Sequence, residues 1–216
     1  MEKVAIAGHS LVHWFGEYVD NHPVRDSNFG LDQKVVKYFG VRGLTVRGVE
    51  KRLLPKVRSF DPDWIILMLG DNDLSNPHMD TTGLAYLIIH SACELRRDPS
   101  VTAVISLLLP RYEGTDPHPD HPFDPTYDKR AAEVNAAIRK ELASGRWVNI
   151  SCWQHDFGVF QQDNKDRYKQ LKYCFRKEDG VHLSDDGQVR LYRSFKLLLR
   201  GLRRQQSKLA LRYEKK

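Results

Sequence analysis

Long apolar runs separated by amphipathic segments constrain the fold of this chain more than any other feature. WIILML and VISLLL lack the alternation of a strand with one solvated face, so both faces of these strands must be buried. The predicted strands are Val4–Ala7, Val35–Val41, Trp64–Leu69, Val101–Leu109 and Trp147–Ile150. Strands that alternate with helices predict a three-layer α/β/α fold, with a five-stranded parallel sheet in the flavodoxin-like order 2-1-3-4-5.

Helical periodicity fills the intervals between these strands. The predicted helices are Leu11–Val19, Val46–Val57, Gly83–Arg97, Lys129–Leu142 after a capping Asp128, and a last helix from Asp185. We expect one domain over residues 1–190, with residues 185–216 forming a C-terminal helix and basic tail continuous with it. A chain of 216 residues is long enough for one substantial core.

Composition excludes several classes of protein. The chain is 41% hydrophobic and 29% charged, which is ordinary for a soluble globular domain. It has no apolar run near the ~18 residues of a membrane span, and from the short strand after Met1 we expect no secretory signal. The three cysteines form no C-x-x-C pair, so we expect reduced thiols, no structural zinc and an intracellular, cytoplasmic location.

The net charge of +6 is concentrated near the C-terminus. Residues 190–216 carry ten Lys or Arg and one acid, Glu214, whereas the other residues together are slightly acidic. The last helix has Leu191, Phe195, Leu198 and Leu202 at core spacing, with Arg193, Arg200, Arg204 and Lys208 elsewhere. The basic side chains form either a solvated face or a binding surface for nucleic acid or another anionic surface.

Polar residues lie at the carboxyl ends of the predicted strands, where parallel α/β sheets bind ligands. Ser10 follows the first strand, Gly43 follows the second, and Asn72 follows the third. Asp179 and His182 precede the final helix. Taken alone, Ser10 could be a helix N-cap and Asn72 a turn residue.

Together these side chains are the groups that acyl transfer requires. A serine hydroxyl needs a base to remove its proton, and His182 is a candidate, with Asp179 orienting its ring. Candidate donors to an oxyanion are the backbone N–H groups of Ser10 and Gly43 and the amide of Asn72. Glycine would let substrate approach the backbone closely.

The blocks GHS, RGLT, LGDND and DGVH, in this order, resemble those of the SGNH (GDSL-type) hydrolases. The resemblance extends from residue 4 to about residue 190. It implies that Ser10 is the nucleophile, that Asp179 and His182 complete the triad, and that Ser10, Gly43 and Asn72 form the oxyanion hole. Similar esterase-like domains occur in retroelement-derived proteins, where a nucleic-acid-binding region would fit.

Two positions depart from the family pattern. The family usually has Asp before the serine, where this chain has His9, and Gly in the third block, where it has Asp71. Neither change removes a group that acts chemically. We expect His9 to replace the usual aspartate structurally in the turn.

The sequence thus predicts a serine esterase that cleaves an acyl or acetyl ester of a small molecule, lipid or carbohydrate, without cofactor or metal. The proline-rich loop 110–126 is expected to cover the sheet edge, and Trp14 and Tyr112 are candidates for substrate contact. The alternative is a catalytically weak module of the same fold that binds nucleic acid or a protein through its basic C-terminal helix. The sequence does not determine the oligomeric state.

Overall fold

A five-stranded parallel sheet forms the centre of the computed structural model. The structure describes residues 1–111, 124–155, 173–176 and 179–213, with side chains as far as residue 202. The strands are β1 (Glu2–Gly8), β2 (Lys34–Gly40), β3 (Trp64–Met68), β4 (Thr102–Ser106) and β5 (Ile150–Trp153). Their order is β2-β1-β3-β4-β5, which confirms the predicted topology.

Helices cover both faces of this sheet. They are α1 (Ser10–Asn21), α2 (Val49–Arg52), α3 (Leu54–Phe60), α4 (Thr81–Leu95), α5 (Tyr127–Ala143) and α6 (Asp185–Tyr213), with short 3-10 turns at Val46–Gly48 and Asp73–Ser75. The buried residues form two apolar layers, one on each face of the sheet. β3 is buried throughout, as a strand covered on both faces must be.

Helices α1 and α6 pack together on one face. The aromatic ring of Phe15 from α1 lies 5.2 Å from that of Phe195 from α6. In α6, Leu191, Phe195, Leu198 and Leu202 are all buried, as the core spacing predicts.

The assignment of residues 1–190 to one domain, with residues 185–216 as a helix and tail continuous with it, stays a prediction. None of the helices that the structure describes is both long and apolar enough to cross a membrane.

The fifth strand begins three residues later than the sequence predicts. The chain has a positive φ of 55° at Asn149, and extended pairing with β4 begins only after it, at Ile150. A left-handed residue cannot lie within a regular strand. Trp147 instead turns back toward α5, where its indole N–H donates to Glu141 at 2.8 Å.

The predicted helix Val46–Val57 is divided into three pieces. Pro55 lies in the first turn of α3, where its missing N–H is tolerated, whereas an uninterrupted helix would place it in the interior. The capping role of Asp128 was also wrong, because α5 begins at Tyr127, two residues before the predicted start at Lys129, and Asp128 lies within the helix. The Asp128 carboxylate accepts the Arg111 backbone N–H at 2.9 Å instead.

Candidate active site

The carboxyl ends of three neighbouring strands bring the predicted site residues to one edge of the sheet. Gly8 pairs with Gly40 on one side and with Met68 on the other, so β1, β2 and β3 all end at the same level. Gly8 has φ 154°, and a Cβ at this position would lie 2.0 Å from the Met68 carbonyl oxygen. Only glycine allows this close approach of β1 to β3.

Ser10 is the first residue of α1, and His9 is its N-cap. His9 Nδ1 accepts the Leu11 backbone N–H at 3.3 Å. The suggestion that Ser10 caps the helix was therefore wrong, because the residue before it takes that role. The Ser10 hydroxyl is left to interact with groups beyond its own helix.

A chain of hydrogen bonds joins Ser10, His182 and Asp179. The Ser10 hydroxyl lies 3.2 Å from His182 Nε2, and His182 Nδ1 lies 2.7 Å from Asp179 Oδ2. The second carboxylate oxygen accepts the backbone N–H groups of Val181 and His182 at 2.8 Å each. An ionised carboxylate can only accept, so the ring proton lies on Nδ1 and the Nε2 lone pair faces the serine.

The electrostatics of Asp179 favour this arrangement. Burial alone would raise its pKa, but the hydrogen bonds from the His182 ring and from the two backbone N–H groups lower the pKa to about 2. The carboxylate is therefore ionised at neutral pH. It can stabilise an imidazolium at His182 if that ring takes up a proton.

Asn72 and Gly43 lie on the two neighbouring turns. The Asn72 amide nitrogen donates to the Leu44 carbonyl at 2.8 Å, which fixes its orientation and leaves its second N–H available. Gly43 has φ 65° and is exposed, and a Cβ built on it would meet no atom of the described residues within 4 Å. The Gly43 turn therefore presents its backbone to open space, where a ligand could approach it closely.

The sequence of the chain matches the model of one protein family. The model of the GDSL-like lipase/acylhydrolase family matches residues 6–190 of the chain. The chain belongs to this family. It is accordingly a hydrolase of the SGNH type that acts on ester bonds, and its sheet is the flavodoxin-like sheet of that fold.

Solved structures share the fold at low sequence identity. A GDSL-like lipase from Bacteroides thetaiotaomicron is 16% identical with a TM-score of 0.68, and 93% of this chain and 89% of that chain are covered. A carbohydrate acetylesterase from Sinorhizobium meliloti is 17% identical with a TM-score of 0.62, covering 94% and 100%. A lipase/acylhydrolase from Enterococcus faecalis is 16% identical with a TM-score of 0.57, covering 93% and 96%. None of the curated proteins matches the sequence.

The two departures from the GDSL pattern contact each other. His9 Nε2 lies 2.7 Å from Asp71 Oδ2, and both residues are buried. Because His9 Nδ1 accepts a backbone N–H, the ring proton lies on Nε2 and is donated to Asp71. The pair links the turn that carries the serine to the turn that carries Asn72.

Asp71 has two further partners that the sequence did not indicate. The Tyr127 hydroxyl donates to Asp71 Oδ1 at 2.7 Å, and Arg111 donates to the Asp71 carbonyl at 2.9 Å while its guanidinium stacks 4.0 Å from the Tyr127 ring centre. Burial opposes ionisation of Asp71, but the contacts with His9, Arg111 and Tyr127 outweigh it and lower the pKa. The polar cluster holds the third block in place through residues from the β4–α5 region.

A second histidine near the strand ends, His155, forms hydrogen bonds with two serine hydroxyl groups. His155 follows β5, and its ring nitrogens lie 2.9 Å from the Ser194 hydroxyl and 3.1 Å from the Ser106 hydroxyl. Burial lowers the pKa of His155 to about 3, so the ring is neutral. Both nitrogens therefore serve to join β4, the segment after β5 and α6.

A depression lies beside Ser10. Its lining residues are His9, Ser10, Leu11, Asp71, Asn72, Leu109, Pro110, Arg111, Phe175 and Val181. The Trp14 ring lies 6.3 Å from the ring of His182. Tyr112 and most of the 110–126 loop lie outside the described residues.

The basic C-terminal surface is described only in part. Arg193 and Arg200 are exposed on α6, whereas the side chains of Arg204 and Lys208 lie beyond those described. The family match points to ester substrates, and none of the comparisons points to a nucleic-acid partner.

Proposed function

We propose that this protein is a serine esterase that hydrolyses a carboxylic ester through an acyl-enzyme intermediate, with Ser10 as nucleophile. One observation supports this most strongly: the continuous hydrogen-bond chain from the Ser10 hydroxyl through His182 to Asp179. Ser10 and His182 are 172 positions apart along the chain, so tertiary structure must bring them together, whereas Asp179 lies three residues before His182. This geometry is what activation of a serine requires.

In the acylation step, the Ser10 oxygen attacks the ester carbonyl carbon while His182 Nε2 takes up the hydroxyl proton. The carbonyl π electrons move onto oxygen and give a tetrahedral oxyanion. When the oxyanion collapses, the bond to the alcohol oxygen breaks and His182 returns its proton to that oxygen. The alcohol leaves, and the acyl group remains esterified to Ser10.

Deacylation repeats these steps with water. His182 removes a proton from a water molecule as the water oxygen attacks the acyl carbon. Collapse of the second oxyanion breaks the bond to Ser10, whose oxygen receives the proton from His182. The ionised Asp179 stabilises the imidazolium in both halves of the reaction.

Three donors can stabilise the oxyanion in this proposal. They are the backbone N–H groups of Ser10 and Gly43 and the amide of Asn72, which the Leu44 carbonyl already orients. Loss of one donor of this kind costs about 3–4 kcal/mol of transition-state stabilisation. The N-terminus of α1 adds a favourable dipole, because Ser10 is its first residue.

Hydrolysis of p-nitrophenyl acetate by purified variants tests the proposal. An acetyl ester is the first choice because one protein that shares the fold is a carbohydrate acetylesterase. We expect Ser10→Ala and His182→Gln to fall to the buffer rate. The matched control Ser59→Ala removes a hydroxyl that donates to the carbonyl of Lys56 on the same helix, and it should retain the wild-type rate.

A Ser10→Ala variant that keeps the wild-type rate would overturn the proposal. Thermal unfolding of each variant shows whether a lost rate reflects a lost fold. We also expect the wild-type rate to fall in acid, because a protonated imidazole cannot accept the serine proton.

A further inference from the structure

Two arginine side chains converge on one indole ring at the edge of the proposed active site. The guanidinium carbon of Arg42 lies 5.5 Å from the Trp14 ring centre, and that of Arg176 lies 5.1 Å from it. Both distances are within cation–π range. Trp14 is half-buried and both arginines are exposed, so the cluster faces solvent.

Each member of this Trp14 cluster is attached to one part of the proposed catalytic machinery. Trp14 lies four residues after Ser10 on α1, one helical turn further along the same face. Arg42 directly precedes Gly43, and the Arg176 backbone N–H donates to the His182 carbonyl at 2.7 Å. The two charges are thus held beside the position where an ester would react.

The positive charge of the cluster is not neutralised by the residues that the structure describes. Neither Arg42 nor Arg176 forms an ion pair with a described carboxylate, whereas Arg97 bonds to Asp61 at 3.1 Å. Asp179 is the acid nearest in sequence to Arg176 among the described residues, and both of its oxygens already accept hydrogen bonds from residues 181 and 182. Two like charges on one ring repel each other, and a bound anion would relieve that repulsion.

We propose that Arg42, Arg176 and Trp14 form a subsite for a negatively charged group of the substrate, a carboxylate or a phosphate joined covalently near the ester. This inference rests on the proposed esterase function and names a substrate class for it. A guanidinium presents paired N–H donors that match the oxygens of either anion. Stacking on the indole orients those donors, and the ring also offers an apolar surface to the carbon skeleton of the substrate.

Paired esters that differ in charge test this subsite. The phosphate arm compares monoacetylglycerol phosphate with monoacetylglycerol, and the carboxylate arm compares p-nitrophenyl hemisuccinate with p-nitrophenyl methyl succinate. For wild type we expect kcat/KM to favour at least one anionic ester by about tenfold or more. Added salt should reduce this preference, because both arginines are exposed.

Charge-removing variants locate the origin of the preference. We expect Arg42→Gln and Arg176→Gln each to lower the anionic-to-neutral ratio of kcat/KM by roughly fivefold to tenfold, and the double variant to abolish the preference. The matched control is Lys37→Gln, which removes an exposed cation that lies 5.0 Å from the Phe60 ring away from the site. It should leave both rates and their ratio unchanged.

The possible results separate this inference from the function on which it rests. If no neutral or anionic ester is hydrolysed in a Ser10-dependent way, the proposed function fails. If neutral esters are hydrolysed but neither anion is preferred, the subsite is wrong and the function stands. If the arginine variants lower kcat/KM equally for neutral and anionic esters, the guanidinium groups do not bind the charged group of the substrate, and the subsite is again wrong. A preference in one arm alone supports the subsite and identifies its anion.

Discussion

Replacing Asp71 with alanine should destabilise the protein by an amount that can be worked out from its contacts. Its carboxylate accepts from His9 Nε2 and from the Tyr127 hydroxyl at 2.7 Å each, and both partner residues are 1% exposed. Alanine leaves both donors buried without an acceptor. At about 1–3 kcal/mol for each orphaned donor, the free energy of unfolding should fall by about 2–6 kcal/mol. A typical domain has only about 5–15 kcal/mol in total.

Urea unfolding followed by tryptophan fluorescence measures this loss. Asp71→Asn is the matched control, because its amide oxygen can accept from His9 and its N–H can donate to the Tyr127 oxygen. We expect asparagine to cost about 1 kcal/mol. In the Asp71→Ala background, Tyr127→Phe removes one orphaned donor and should restore about 1–3 kcal/mol.

The effect should also depend on pH. The pKa of Asp71 is lowered in the folded state, since the contacts with His9 and Arg111 outweigh its burial. The carboxylate therefore stabilises the fold above the ordinary pKa of aspartate, and this contribution disappears as pH falls through the folded-state pKa. The difference in the free energy of unfolding between wild type and Asp71→Ala should be largest at neutral pH and should become smaller in acid. An alanine variant as stable as the asparagine variant, or no recovery with Tyr127→Phe, would show that the two donors do not depend on this carboxylate.

Three further variants test other parts of the site. Asn72→Ala removes a proposed oxyanion donor and should lower kcat by roughly 100- to 1,000-fold in steady-state hydrolysis, whereas an unchanged kcat would exclude that role. Asp179→Asn can donate to Nδ1 of His182 and so favour the wrong ring tautomer; kcat should fall roughly 1,000- to 10,000-fold in steady-state hydrolysis. Burial raises the pKa of Asp73 to about 6. The pKa of Asp73 is therefore higher in the folded state than in the unfolded state, and wild type loses stability as pH rises from the unfolded-state pKa to the folded-state pKa. An asparagine side chain carries no such charge, so the urea midpoint of Asp73→Asn relative to that of wild type should be higher at about pH 8 than at about pH 4. Equal midpoint differences at the two pH values would contradict this assignment.

The sheet was predictable because its signal is local and strong. Runs such as Trp64–Met68 are apolar at every position, and only a strand buried on both faces accommodates them. Parallel strands present their carboxyl ends at one edge of a sheet, and this rule places Ser10, Gly43 and Asn72 together from the order of the strands alone.

The details that could not be predicted depend on single backbone angles or on distant partners. Asn149 adopts φ 55°, which nothing in the sequence around it requires, and this angle shifts β5 toward the C-terminus. His9 was expected to act structurally, but its hydrogen bond to Asp71 joins residues 62 positions apart. Tyr127 and Arg111 lie in the β4–α5 region and also contact Asp71. The hydrophobic pattern of the sequence does not indicate that this region packs against the LGDND block.

Covalent trapping of Ser10 is the sharpest test of its role as the nucleophile. A phosphotriester such as diethyl p-nitrophenyl phosphate transfers its phosphoryl group to an activated serine and releases p-nitrophenol. We predict one phosphoryl group per molecule, located on Ser10 by peptide mass spectrometry, with no labelling of Ser10→Ala and slow labelling of His182→Gln. An adduct on another residue, or ester hydrolysis that persists in full while Ser10 stays unmodified, would contradict the proposed mechanism.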